Sequence, residues 1–351
     1  MGDYLQEQYM KLEEEKEMEQ RKQERRENIS QFLNALFSIQ DYGNTHHIMQ
    51  VLGLKFKFPK REFAKKKKEN PYYYYKKNNM DIRTLPKAEG QTRDIQLANL
   101  ALLKEMDYVC TQAGLKYWLD GGTLLGAVRH GGFIPWDDDI DTAMLREDYE
   151  QIAEAFEKYS RNPDIYVGYR PIPNKYNNYF LKIMHKKCPH LFVDIFPWDS
   201  YGKRLTVEEQ IEKTVEIKKI RKKEITNMPR NMVTAENVIN KRNELMSLIK
   251  SGNDEKGDYV WGVDFNHGWK NWFSHYEVLH PLKTINYEGI NFPCLSDPNA
   301  FLTRLYGDYM AYPKKISMGH SMYLHLSKEE KEVIEELKSS HCEARSNPED
   351  T

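Results

Sequence analysis

Between Trp118 and Met144 the chain reads WLDGGTLLGAVRHGGFIPWDDDIDTAM. A Gly-Gly-Thr turn, formed by Gly121, Gly122 and Thr123, stands about one short helix upstream of the run Asp137-Asp138-Asp139-Ile140-Asp141. A turn with exposed backbone N–H groups can hold a phosphate. Asp139 and Asp141, two apart on an expected strand, point to one face and can share a hard divalent cation. A phosphate holder beside a metal holder is the minimal equipment for phosphoryl transfer.

Three adjacent aspartates repel one another at neutral pH, so something cationic must compensate them. The donors are all oxygen, with no His-x-x-x-His or cysteine pair nearby, which points to Mg²⁺ or Mn²⁺ and away from zinc. Downstream, LFVDIFPWD sets Asp194 between Val193 and Ile195 in an apolar strand. A carboxylate there needs a partner, either the metal of Asp139 and Asp141 or an Arg or Lys. Asp199, just past Pro197, reads equally well as a turn residue. Arg129 and Lys182 are the candidate donor-phosphate contacts, Arg for its bidentate fork. Lys182 reads equally as a surface lysine. His130 is either a base or a structural hydrogen-bonder. Trp136 and Trp198 flank the acidic motifs, and Trp261, Trp269 and Trp272 follow. Such rings either pack in the core or cage a quaternary ammonium by cation–π attraction. Asp308, beside Tyr306, is a further candidate for acceptor binding or the fold.

The elements that must position these groups are legible in outline. Leu100, Leu103, Met106 and Cys110 mark one stripe of a helix from about Thr92 to Ala113, stopped by Gly114. Lys116–Leu119 reads as a short strand delivering Asp120. Ile140–Leu145, Ile165–Tyr169, Tyr179–His185 and Leu191–Phe196 read as strands, and Glu147–Tyr159 as a helix. Thr206 opens a capping box for a helix to about Ile225; further helices cover 235–250, 297–307 and the stretch capped by Ser327.

The chain has 351 residues, 40% hydrophobic and 30% charged, with a net charge of −1. That excludes a globally basic nucleic-acid binder. Its four cysteines are scattered and form no zinc or disulfide framework. The charged N-terminus, with no apolar h-region, argues against a secretory signal, and there is no apolar run of about 18 residues to suggest a membrane-spanning helix. The first 28 residues read as a charged helix, solvated or dimerising the protein as a coiled-coil arm. Ile29, Phe32, Leu33, Leu36 and Phe37 have helical spacing. Residues 44–77 combine one or two strands with a basic run and four tyrosines, Tyr72 to Tyr75. That module reads as a linker, an anionic-membrane contact or, least well, a nucleic-acid contact.

The 118–144 stretch resembles the signature of the LicD family, which includes fukutin-type proteins. FVDIFPWD and the PLKTINYEGINFPCLSDPNAFLTRLYGDYM segment are similar to it in the same order, over about residues 93–315. The resemblance implies an α+β fold, a nucleotidyltransferase-like core with a mixed β-sheet flanked by helices. Here it would carry an N-terminal helical and basic extension. The implied division is a charged arm at 1–43, a basic module at 44–91, a catalytic domain at 92–326, and a helix and tail at 327–351. The implied reaction moves phosphocholine, or a related phospho-alcohol, from CDP-choline or another CDP-alcohol to a glycan sugar, releasing CMP. Gly121, Gly122 and Thr123 would hold donor phosphates, with Asp139, Asp141 and Asp194 as catalytic metal ligands. Competing readings are a nucleotidyltransferase acting on a small alcohol or sugar, and a membrane-surface adaptor without turnover. The expected setting is cytoplasmic, peripheral at the inner membrane face near a lipid-linked acceptor, with no nucleic-acid partner and a homo-oligomer formed through the N-terminal helix.

Overall fold

The computed structural model describes residues 37–42, 46–51 and 54–59 by their backbone, together with 72–169, 177–316, 319 and 324–343. The charged N-terminal arm, most of the helix expected from Ile29, the basic run at 60–71 and the end of the tail lie outside the described residues. Two compact units divide the chain, Met1–Glu69 and Asn70–Thr351.

In the first unit, β1 (Phe37–Tyr42), β2 (His46–Val51) and β3 (Leu54–Pro59) form an antiparallel meander. Phe37, placed at the end of a helix by its spacing, opens β1.

The second unit begins with α1 (Tyr72–Lys77), so the tyrosine run grouped with the linker module is part of the larger unit. Tyr72 is buried, and its hydroxyl donates to the Pro135 carbonyl at 3.0 Å. Then follow α2 (Gly90–Ala113), β4 (Trp118–Leu119), α3 (Gly121–His130), β5 (Ile140–Leu145), α4 (Arg146–Tyr149), α5 (Ile152–Tyr159), β6 (Ile165–Tyr169), β7 (Leu181–His185) and β8 (Cys188–Ser200). The chain continues with α6 (Val207–Arg221), α7 (Ala235–Ile249), β9 (Tyr259–Trp261), β10 (Phe273–Ser274), α8 (Tyr276–Leu279), β11 (Lys283–Tyr287), β12 (Ile290–Cys294), α9 (Pro298–Tyr306) and α10 (Lys328–Glu343). The mixed α+β architecture matches the expectation. The helix expected over Glu147–Tyr159 is broken into α4 and α5. The helix expected to reach Ile225 leaves α geometry after Arg221 in a π-turn, Lys222–Thr226. There the buried Arg221 guanidinium bonds Val263 O, Asn178 Oδ1 and Thr226 Oγ1, taking up backbone and side-chain acceptors in the core.

The seven-stranded sheet is mixed, with β8 as its hub. Its stretch Val193–Trp198 pairs parallel with β5 on one edge. The other edge is shared by β7 and, further along, β9, both antiparallel. Thirteen residues of β8 serve both partners, longer than the expected Leu191–Phe196. α2 packs on one face, where Met106 Sδ accepts from Thr142 Oγ1. Gly114 ends α2 at φ 72°, in the left-handed region that suits glycine.

The β11–β12 hairpin is tied down by a buried ion knot. Glu288, at φ 53° in its turn, accepts from Arg93 Nη2 at 2.8 Å, Lys87 Nζ at 2.7 Å and the Phe133 amide at 3.1 Å. Burial works to raise its pKa, but the bonds and charges of Arg93 and Lys87 outweigh it and hold the carboxyl at about 2. A depressed carboxyl stabilises the fold above its unfolded pKa, and that support fades as pH falls from about 4.5 towards 2. Glu288→Gln should cost about 3 kcal/mol at pH 7 and much less at pH 2.5, read by urea unfolding at the two pH values.

Candidate active site

The strand register places charged residues in a row across the sheet. Asp120 follows β4, and its amide bonds the Asp141 carbonyl at 3.1 Å. Asp141 on β5 lies opposite Asp194 on β8, and Asp194 lies opposite Lys182 on β7. Residues directly opposite in register project to one face. Asp120, Asp141, Asp194 and Lys182 therefore share the face turned away from Thr142 and α2.

Asp120 is wholly buried and caps α3, with Oδ1 accepting from the Gly121 amide at 2.7 Å and Oδ2 from Trp198 Nε1 at 3.3 Å. Burial raises its pKa to about 6, opposed by those two bonds and by the charge of Arg304. Gly-Gly-Thr is the first turn of α3. Its amides do not face open space: Gly122 N–H donates to Asp141 Oδ2 at 2.8 Å, and Thr123 Oγ1 accepts from the Asp141 amide at 2.8 Å. The helix N-terminus, where backbone dipoles favour negative charge, thus meets a carboxylate. A Cβ on Gly121, which has φ 48°, would lie 2.5 Å from Asp141 Oδ2. Gly121→Ala should therefore displace Asp141 and slow turnover roughly 100-fold, with a loss of about 1 kcal/mol in stability. Steady-state kinetics beside thermal unfolding checks both.

The acidic loop is pinned from below by two side chains that the sequence reading passed over. Gln96 Nε2 donates to Asp137 O at 2.6 Å, and Asn99 Nδ2 donates to Asp138 O at 2.7 Å. Asn99 Oδ1 accepts the Phe192 amide at 3.0 Å, joining the loop to β8. Their signal in the sequence is polar residues lying among the buried apolar positions of α2.

One ligand oxygen from each of Asp137, Asp138 and Asp139 fits within 4.8 Å of the others. Burial, then the charges of Asp139 and its neighbours, drives Asp137 and Asp141 well above the carboxylate range. Lys182, the alternative partner of Asp194, is present as a buried ion pair. Lys182 is thus neither a surface lysine nor aimed at open solvent. Crowded all-oxygen donors of one sign, with Asp138 buried and Asp137 and Asp139 half-buried, fit a hard divalent cation.

Other sequence candidates sit differently. Arg129 is buried, with Nη1 donating to Tyr309 O at 2.7 Å and Nε to His130 Nε2 at 3.0 Å. Burial lowers its pKa to about 10. Burial and the adjacent Arg129 hold His130 at about 3, so its ring is neutral at pH 7 and its bonded Nε2 is structural. Trp198 is fully buried between Trp261 and Phe301, and Trp261, Trp269 and Trp272 are buried as well. These rings fill the core and do not form an open cage. Trp136 is also buried, edge-on to Tyr72 at 5.4 Å. Asp199 is no turn residue: Arg146 bridges it to the wholly buried Asp264. Asp308 is exposed. Its neighbour Tyr306 is 41% exposed as a residue, yet its phenol is pushed upward by local burial and then by Asp141, Asp120 and Asp137, which places it in the field of the acids.

Residues 114–236 match the family described as LicD/FKTN/FKRP, nucleotidyltransferase domain. The lipopolysaccharide cholinephosphotransferase LicD of Haemophilus influenzae is 27% identical over 245 residues, 63% of this chain and 92% of that protein. The human ribitol 5-phosphate transferase FKRP is 36% identical over 93 residues, 26% of this chain and 18% of that protein. The 114–236 match takes in the turn, the acidic run and strands β4 to β8, so residues 114–236 form a LicD/FKTN/FKRP nucleotidyltransferase domain.

Proposed function

We propose that this chain is a phosphotransferase, moving phosphocholine or a related phospho-alcohol from a CDP-activated donor to a sugar of a cell-surface glycan, with CMP leaving. The observation that carries this is the locking of the Gly122 amide onto Asp141, which sets a helix N-terminus beside the row of acids. The names of the relatives, a cholinephosphotransferase and a ribitol 5-phosphate transferase, support the class of cargo.

Asp139, Asp141 and Asp194 would hold Mg²⁺ or Mn²⁺, which when bound would neutralise charge on the donor diphosphate. The Gly121 and Gly122 amides are held by Asp120 and Asp141, so the Gly121-Gly122-Thr123 turn would act on the donor phosphates as the positive end of the α3 dipole and not through those two N–H groups. The acceptor oxygen bonds to the phosphorus bearing the alcohol, the bond from that phosphorus to the bridging oxygen breaks, and CMP departs with the electron pair. The hydroxyl proton passes to Asp194 or to one of Asp137, Asp138 and Asp139. Lys182 holds Asp194 in place and in charge.

Among the described residues no helix is long and apolar enough to cross a membrane. Peripheral contact through residues 53–77 near a lipid-linked acceptor, at the cytoplasmic face, is part of the same proposal, as is oligomerisation through the N-terminal arm. Incubating the protein with CDP-choline, CDP-ribitol and CTP in turn, and separating products by chromatography, tests the reading. CMP from a CDP-alcohol supports it. Pyrophosphate from CTP with a cytidylyl-linked product replaces it with nucleotidyl transfer.

A further inference from the structure

A cleft of about 570 Å³ opens between the C-terminal part of α2, the segment entering β4, and the stretch from α8 into the β11–β12 hairpin. Tyr117, on its floor, donates its hydroxyl to Asp107 of α2 at 2.7 Å, which places this wall on the α2 side. The cleft meets α2 at Cys110 and Thr111, whereas the acidic loop is pinned by Asn99 of the same helix. At 1.5 Å per residue the two lie roughly 16 Å apart along the helix axis.

We propose that this cleft is a second carbohydrate site, taking an anionic stretch of saccharide. The inference rests on the glycan acceptor proposed above. One wall is an aromatic ledge: the Tyr276 and His280 rings pack 4.9 Å apart at 35°, and Tyr259 lies 5.4 Å from His280. Such faces suit the C–H side of a sugar ring, and small-molecule sites pair apolar walls with a few placed polar groups. His280 Nε2 is buried without a hydrogen-bond partner among the described residues, the kind of group a bound hydroxyl or water satisfies. The rim is cationic. Lys116 and Lys283 are both exposed there and outnumber the single lining carboxylate, Asp107, which accepts from Tyr117; the Lys283 ammonium also donates to Ser296 O at 2.7 Å. Thr111 and Thr284 add hydroxyls. A ligand of flat rings, hydroxyls and negative charge matches all three features. A site this far from the acids would hold a glycan chain while its end is modified.

The test is saturation-transfer NMR on the full chain with N-acetylglucosamine 6-phosphate, glucuronic acid and neutral N-acetylglucosamine as probes. The charged sugars should bind and the neutral one more weakly. Lys116→Glu, and Thr111→Trp to fill the cleft, should each weaken binding at least tenfold without moving the melting temperature. Binding should persist in Asp139→Asn/Asp141→Asn. No binding by any probe overturns the proposal, as does binding unchanged in both cleft variants. Loss in the acid variant alone also overturns it, because the sugar then belongs to the catalytic site. Saccharide binding is read without turnover, so a failure of the phosphotransferase reading appears separately, as absent CMP release.

Discussion

Asp139→Asn/Asp141→Asn is expected to lower CMP release by roughly 1,000-fold or more, the scale seen when a charge-stabilising element is removed from an active site. The same change should not destabilise the protein free of divalent ions. Burial, then Asp139 and Asp194, holds the Asp141 pKa well above its unfolded value. A carboxyl raised in the fold binds its proton more tightly there than in the unfolded chain, so its contribution to stability falls as pH rises above the unfolded value. Removing the charge removes that penalty. The melting temperature of the variant should therefore equal or exceed that of the wild type at pH 7, and the difference should grow as pH rises from the unfolded value of 3.8 towards the raised folded one. Saturating Mg²⁺ should raise the wild type and leave the variant unmoved. A variant that melts well below the wild type in the absence of metal would mean that the acids hold the fold together, and any loss of turnover would then have a structural cause.

Lys182→Met carries the second large effect. Lys182 and Asp194 are 4% and 8% exposed, so deleting the lysine strands a buried carboxylate among other acids. Breaking a buried pair from one side costs about 3–5 kcal/mol, a fall of several degrees for a domain of this size. Lys182→Met/Asp194→Asn should recover most of it, because both charges are then gone. Divalent cation should rescue the single variant in part, since it can neutralise Asp194 where the lysine did. Thermal unfolding of the three proteins with and without Mg²⁺ reads all of this. No loss of stability in Lys182→Met would show that the pair carries no load.

What could be read from the chain follows from how local each signal is. Gly121, Gly122, Thr123 and the acidic run lie within about twenty residues, and strand β5 has its expected bounds, so their meeting was legible. Asp194 announced itself as a charge inside an apolar strand, but the choice between metal and lysine needed the register that sets Lys182 opposite it. Gln96 and Asn99 were missed because their bonds reach about forty residues down the chain. Glu288 was missed for the same reason at greater range, its Arg93 partner being 195 residues away. Tryptophan spacing does not distinguish a packed core from an open cage. Trp198 and Trp261 needed the β8–β9 pairing to show that they face each other in the interior. The two-residue strand β4 is too short for periodicity to bound, though Asp120 after it is the cap on which α3 begins.

The measurement that bears most directly on the central claim is phosphorus NMR of the purified protein with CDP-choline, followed over time with Mg²⁺, with chelator, and with Asp139→Asn/Asp141→Asn in place of the wild type. CMP and phosphocholine, water taking the place of the sugar hydroxyl in this mixture, should appear only with intact acids and divalent cation. CMP released at the same rate by the variant, or in the presence of chelator, would contradict a metal-assisted transfer at this site.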